Sequence, residues 1–358
     1  MNEASSILLV TRKWAPAMGG METWSINVAK ALGEKVDTPV IALPGRSDGM
    51  PPSAIALMLF PINVISQYLR MDHKPSSILL GDMAIWPIGI LLRLCGFGGV
   101  LLIAAHGTDT SYHRRGGVKG SLYGCYQRLG SRLMRKTKVF ANSHATADVL
   151  KETGWIASKV IPLATKIPVK HSAKSDVRDG IKLLFAGRLI KLKGCGWFVE
   201  NVLKLLPTST EIKIAGTGWD AAEAWIIEHP QVQYLGLLNR QNLDLEYAAA
   251  DCVIIPNVET PQGEFEGFGL VALEAAAAGG LVLAADHGGL RDAVINGLTG
   301  FHLPSEDAAA WAQKIIDIRD WDSARRRDFI AKSRETIAAQ FNWNVVAQRI
   351  VELSQPTA

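Results

Sequence analysis

The chain has 358 residues, of which 48% are hydrophobic and 20% charged, with 38 Lys and Arg against 34 Asp and Glu. That length exceeds one ordinary domain and suits two, each able to bury its own core. The composition excludes a disordered or fibrous chain.

Short apolar runs alternate with helical patterns along the first half. Ser6–Thr11, Thr38–Leu43, Ser77–Leu80, Val100–Ala105 and Val139–Asn142 are continuously hydrophobic, as strands of a buried parallel sheet should be. Helical stretches Glu22–Leu32, Ala54–Arg70 and Leu122–Arg135 lie between them, the signature of βαβ units. Ala84–Ala105 is very apolar, but Pro87, Arg93 and the G-F-G-G at 96–99 interrupt it. A spanning helix needs about 20 apolar residues, so the segment reads as a helix over 84–95, a turn and a buried strand. Around Ile167–Gly180 the pattern lapses into a polar, aperiodic linker. Alternation resumes with strands at Ile181–Ala186, Glu211–Ala215, Val232–Leu235, Asp251–Ile255 and Gly280–Ala285. FNWNVVAQRIVELS, at 341–354, closes the chain as an amphipathic helix. The expected divisions are 1–167, a linker at 168–180, 181–338 and a last helix within 339–358.

Charge is unevenly spread: residues 1–180 hold 22 Lys and Arg against 12 Asp and Glu, and the remainder 16 against 22. Eight of the basic residues fall between Arg114 and Lys138. Such a face suits anionic lipid head groups or an acidic acceptor, or is simply a solvated helix surface. No nucleic-acid motif accompanies it, which argues against a nucleic-acid partner. Cys95, Cys125, Cys195 and Cys252 lack metal-ligand spacing and read as reduced thiols of a cytoplasmic chain. The polar start runs directly into the first strand and reads as no secretory leader.

The chemistry-bearing residues fall at strand-to-helix turns. Gly19 and Gly20 precede the first helix, where bare backbone N–H groups and the helix dipole favour an anion, although a structural turn explains them as well. The pattern is not G-x-G-x-x-G and no acidic residue ends the second strand, which counts against a dehydrogenase. In the second half, a strand ends in Gly187-Arg188, and Lys193 follows five residues later. A planar fork and a point charge there suit a leaving diphosphate. Gly216 marks another tight turn after a strand. Glu266 lies in a Gly-rich turn and Glu274 two helical turns further on. Eight steps of 100° return to within about 80° of the start, so both carboxylates share one side. The N–H groups of Phe268, Gly269 and Leu270 are expected to be open at that helix start, ready for phosphate. His106 ends an apolar strand, as a core histidine or as a group on the ligand edge of an open α/β sheet.

These motifs in order are P-x-x-G-G-M-E at 16–22, H-G-T-D at 106–109, N-S at 142–143, G-R-L-x-K-x-K-G at 187–194, E-G-F-G-L-V-A-L-E-A at 266–275, G-G-L-R-D at 288–292 and G-L-T-G at 297–300. Together they resemble the retaining glycosyltransferases of family 4. The resemblance implies an α/β GT-B fold, two facing Rossmann-like domains with a C-terminal helix crossing back to the first and the active site in the cleft between them. It assigns Gly19 and Gly20 to the diphosphate side, His106 to the donor sugar, Arg188 and Lys193 to the diphosphate, Glu266 to sugar hydroxyls and Glu274 to the ribose. It also implies a nucleotide-sugar donor and a reaction with neither cofactor nor metal, the cations and helix N–H groups replacing a D-x-D metal pair. The acceptor is read as a lipid-linked glycan of bacterial surface-polysaccharide assembly, reached from the cytoplasmic face with peripheral contact to an anionic membrane. The alternatives are a GT-B enzyme with a soluble acceptor and a nucleotide-binding module without chemistry.

Overall fold

The computed structural model describes residues 6–17, 19–168, 180–218, 220–260 and 263–356. The chain divides into two compact units, one comprising residues 1–163 with 343–358 and the other residues 164–342. Most of the segment read as a linker, 169–179, lies outside the described residues.

Unit 1 is built in the order β1 (Ile7–Trp14), α1 (Gly20–Gly33), β2 (Val40–Pro44), α2 (Ala54–Arg70), β3 (Ser77–Leu80), α3 (Trp86–Leu94), β4 (Val100–Ala105), α4 (Thr108–Ser111), α5 (Gly117–Leu133), β5 (Lys138–Ala141), α6 (His144–Lys151) and β6 (Ala157–Val160). The strands form one parallel sheet ordered β2-β1-β3-β4-β5-β6. Unit 2 runs β7 (Lys182–Ala186), α7 (Cys195–Asn201), β8 (Glu211–Ala215), β9 (Val232–Gly236), α8 (Arg240–Ala249), β10 (Cys252–Ile255), α9 (Leu270–Ala278), β11 (Val282–Ala285), α10 (Leu290–Ala293), β12 (Phe301–Leu303), α11 (Ala308–Arg319) and α12 (Ser323–Gln340). Its parallel sheet is ordered β12-β11-β10-β7-β8-β9. The last helix, α13 (Trp343–Ser354), belongs to unit 1. There the Ser77 hydroxyl donates to the Ser354 carbonyl at 3.0 Å, Lys138 donates to the carbonyls of Leu353 and Gln355, and Lys159 pairs with Glu352.

The sheets are buried on both faces, which is why the strands read as unbroken apolar runs. Leu8, Leu9, Val10, Ile78, Leu79, Leu80, Leu102 and Ile103 are fully buried in unit 1, as are Leu184, Val253, Val282 and Leu283 in unit 2. Truncating one such residue to Ala costs about 2–5 kcal/mol. Side-chain caps start several helices: Ser53 accepts from Ala56 N–H, Ser143 from Thr146 N–H and Asn239 from Asn242 N–H. Each offsets one of the orphan donors of a first turn.

The expected strands are present, Ser77–Leu80, Val100–Ala105 and Glu211–Ala215 with the expected bounds and the others with ends shifted by at most three residues. The apolar 84–105 segment resolves into the nine-residue α3, a turn and β4. Among the described residues no helix is long and apolar enough to cross a membrane. The edge strands β6 and β12 and helices α10 to α12 were not marked by the sequence pattern.

Candidate functional site

In unit 2 the candidate residues gather at the carboxyl ends of β7, β8 and β10. Three close approaches of backbone make this possible. A Cβ on Gly216 would lie 1.9 Å from the Gly187 carbonyl oxygen, so the turns after β7 and β8 touch through glycines. A Cβ on Gly194, at φ +68°, would lie 1.9 Å from the Pro256 carbonyl oxygen, which docks the Arg188–Lys193 turn against the end of β10. Val258 N–H donates to the Leu192 carbonyl at 3.1 Å along the same seam. Gly289 N–H donates to the Glu266 carbonyl at 2.8 Å, and a Cβ there would meet Gly267 backbone. The G-G-L-R-D loop thus fixes the turn that carries Glu266.

That seam brings Lys193 onto Glu266 in a close ion pair. Burial alone would raise the Glu266 carboxyl. The Lys193 charge and hydrogen bond, the Phe268 N–H and the Asn257 side chain outweigh it and hold the group below its ordinary range. The sequence reading placed Lys193 on diphosphate and left the Phe268 N–H open for phosphate; in this chain both face the Glu266 carboxylate. Arg188, the other cation of that turn, has an exposed side chain, and among the described residues it makes no ion pair.

Helix α9 begins at Leu270 with Gly269 as its N-cap in the left-handed region, φ +95°, and no side chain caps it. A helix's first N–H groups have no intrahelical acceptor, so those of Gly269 and Leu270 point out of a nine-residue helix whose macrodipole favours an anion. Six of its nine residues are buried Ala or Leu, which lets α8 and α12 pack closely on it.

Glu274 lies on the same helix, paired with Arg240 at 2.5 Å. Burial pushes its carboxyl up, and Arg240 opposes that shift. Arg240 also donates to Asp244 at 2.9 Å, one turn along α8. Sequence reasoning missed Arg240, although its place just after the Asn239 cap at a strand-to-helix turn is the same kind of signal as Arg188. It also missed Asn257, which is fully buried just past β10. The Asn257 carboxamide lies against Glu266 and, among the described residues, has no other hydrogen-bond partner. One D-x-D triplet also escaped that reading, Asp320-Trp321-Asp322. Asp320 pairs with Arg319 at 2.9 Å and Asp322 caps α12 through Arg325 N–H at 2.7 Å, so both serve helix ends.

In unit 1, His106 ends β4 as expected, and its ring is tightly held. Nε2 lies 3.0 Å from the Gly81 carbonyl, and the ring meets Trp24 edge-on with centroids 4.5 Å apart. A carbonyl only accepts, so Nε2 carries a hydrogen. Asp109 bridges the backbone N–H groups of His106 and Met83 at 2.8 and 2.9 Å, and burial raises its carboxyl. Arg12 and Asp82 pair beside it at 3.0 Å, and Tyr123 donates to the Asp109 carbonyl at 2.6 Å. Gly19 precedes α1, which starts at Gly20; a Cβ on Gly19 would lie 2.5 Å from a Glu22 carboxylate oxygen. Glu22 is paired with Lys13 at 3.3 Å. Met18, beside this turn, lies outside the described residues.

Residues 180–320 match the family model described as glycosyl transferases group 1. The chain is 33% identical to the glycogen synthase of Mycobacterium tuberculosis over 175 residues, 46% of this chain and 40% of that protein. It therefore spans about two fifths of the length of that curated relative. Among solved structures it resembles sucrose-phosphate synthase from Thermosynechococcus elongatus, with a TM-score of 0.73 and 19% identity over 98% of both chains. Anabaena HepE in complex with UDP and glucose aligns with a TM-score of 0.69 and 18% identity, covering 98% of this chain and 99% of that one. These likenesses show the fold, GT-B.

Proposed function

We propose that the chain, whose residues 180–320 match the glycosyl transferases group 1 model and whose fold is GT-B, is a retaining, metal-independent glycosyltransferase. It moves a sugar from a UDP- or GDP-sugar to a hydroxyl acceptor. One observation carries the reading: the Lys193–Glu266 ion pair stands beside a helix start with open N–H groups. An arriving diphosphate competes for the Lys193 ammonium, with Arg188 and the Gly269 and Leu270 N–H groups adding donors. Glu266, relieved of that partner, accepts from the sugar hydroxyls on the side where positive charge develops. Glu274, oriented by Arg240, accepts from the ribose hydroxyls. Gly187 and Gly216 keep the neighbouring turns low enough for a nucleotide, and His106, Gly19 and Gly20 keep the roles that the resemblance assigns them.

In the retaining course, the acceptor hydroxyl attacks from the face that the nucleotide leaves. The bond between the anomeric carbon and the phosphate oxygen breaks as the new glycosidic bond forms, and the departing phosphate oxygen takes the acceptor's proton. Hydroxyl acceptors on lipid-linked glycans of bacterial surface-polysaccharide assembly, met at the cytoplasmic membrane face, fit the basic excess of residues 1–180.

Thermal stabilisation by UDP and GDP, followed by transfer assays in excess EDTA, tests the reading. A nucleotide at 100 times its Kd should add about 2.7 kcal/mol. Absence of stabilisation by any nucleoside diphosphate overturns the donor assignment, and loss of transfer on chelation, restored by Mn²⁺ or Mg²⁺, overturns metal independence.

A further inference from the structure

Helix α5 is built inside out. Its buried face carries Gly120, Gly124, Gln127 and Gly130, while Val118, Leu122, Leu129 and Leu133 are exposed by 76, 64, 51 and 57%. The small inner residues have a structural reason: a Cβ on Gly130 would lie 2.8 Å from both Trp155 and Trp86. The large outer ones have none within the fold. At 100° per residue, Val118, Leu122, Cys125, Leu129 and Leu133 fall within an arc of about 80°. Arg128 and Arg132 border that arc on one side and Lys119 on the other; all three are exposed. From Thr110 to Ala147 the chain contains no Asp or Glu.

The neighbouring helices extend this surface. Right-handed crossovers from β2 to β3, β3 to β4 and β4 to β5 all step the same way across the sheet, so α2, α3 and α5 lie on one face of it. On α2, Ile55, Met58, Leu59 and Ile62 are exposed by 55–70%, and α3 exposes Leu94 by 78%. Soluble surfaces rarely group large apolar side chains in this way unless something covers them.

We propose that the exposed faces of α2, α3 and α5 form a membrane-docking surface, with α5 lying in the headgroup plane of an anionic bilayer. The inference deepens the proposed acceptor reading and rests on it for its biological purpose. Charge decides the occupant. An apolar stripe edged by Arg and Lys matches hydrocarbon bordered by anionic head groups. A second copy of this face would set like charges against each other. None of the three helices crosses a membrane, so docking is peripheral.

Co-sedimentation of the full chain with vesicles of phosphatidylcholine alone, or with 30% phosphatidylglycerol (~30 mol%, enough anionic charge for basic residues to sense), tests this. The wild type should bind the anionic vesicles at least about tenfold more tightly and weaken as salt rises. Leu122→Ser/Leu129→Ser should lose about tenfold on them or more. Arg128→Glu/Arg132→Glu should lose about tenfold and most of the salt dependence. Nucleotide stabilisation of both variants should equal that of the wild type, showing that they are folded. Equal binding to neutral vesicles, no binding to either, or unchanged binding by both variants overturns the proposal. So does a dimer, measured by light scattering without lipid, that Leu122→Ser/Leu129→Ser converts to monomer. Failure of nucleotide to stabilise the wild type would strike the donor reading alone, because vesicle binding involves no transfer.

Discussion

Two units of the same architecture treat their polar residues in opposite ways. At the strand ends of unit 1, Asp109, Asp82, Arg12, Tyr123 and the His106 ring form a closed set, each bonded to another member or to backbone. At the strand ends of unit 2, two carboxylates on one turn and helix, Glu266 and Glu274, are matched by cations from other elements, Lys193 and Arg240. A cation on a flexible stem can leave its partner when a better anion arrives, whereas a carboxylate bound to two backbone N–H groups cannot. The fold is shared, and the chemistry comes from what the loops present.

Four outcomes would break or sharpen that contrast. The largest concerns Glu266→Gln, which keeps size and deletes the charge that develops its value in the transition state. It should lower kcat by about 10²–10³, or ~2.7–4 kcal/mol, in a steady-state assay at saturating donor. Gly194→Ala comes next. Alanine there adopts φ +68° and overlaps the Pro256 carbonyl, so denaturant unfolding should show a loss of about 2–3 kcal/mol. A normal stability would mean that the turn carrying Lys193 is not docked as described.

Arg240→Met should weaken nucleotide binding about 10- to 100-fold, the scale of a charged hydrogen bond left unmade. Burial already raises the Glu274 carboxyl, with Asp244 and Tyr247 facing the same group on α8. Without Arg240 that rise is unopposed, so affinity in the variant should fall as pH drops through the raised value, at a higher pH than in the wild type. Calorimetry across pH reads this directly, and a parallel profile for the two proteins would remove Arg240 from its role.

The smallest effect is a difference in sign. Glu266 is depressed, so its share of stability is present above the ordinary carboxylate range and is lost as pH falls through its lowered value. Asp109 is raised, so its share is present below the ordinary range and is lost as pH rises through its raised value. Melting temperature against pH, wild type minus Glu266→Gln and wild type minus Asp109→Asn, should therefore slope in opposite directions. Equal slopes would erase the contrast between the units.

Much of the fold was legible because both sheets are buried on two faces, leaving continuous apolar runs such as Ser77–Leu80 and Gly280–Ala285 that needed no tertiary information. The edge strands β6 and β12 were not, since Ala157–Val160 has exposed or half-buried residues at every position and Phe301–Leu303 has only three residues. Helix α12 hid for a related reason, with a polar sequence whose buried Arg326 donates to the carbonyls of Ala250 and Asp251. In the candidate site, Glu266 and Glu274 announce themselves by spacing along one segment. Their partners do not, because Lys193 lies 73 residues from Glu266 and Arg240 lies 34 from Glu274 in sequence, and only the folded loops bring each pair together.

Donor Kd by calorimetry, set beside kcat for Glu266→Gln and Glu274→Ala, tests the central claim most directly. Glu274→Ala should weaken donor binding while leaving kcat near normal at saturation, because a ribose contact is much the same in ground and transition states. Glu266→Gln should bind donor nearly as the wild type does and lose turnover. Near-normal kcat in Glu266→Gln together with abolished chemistry in Glu274→Ala at saturating donor would contradict the account.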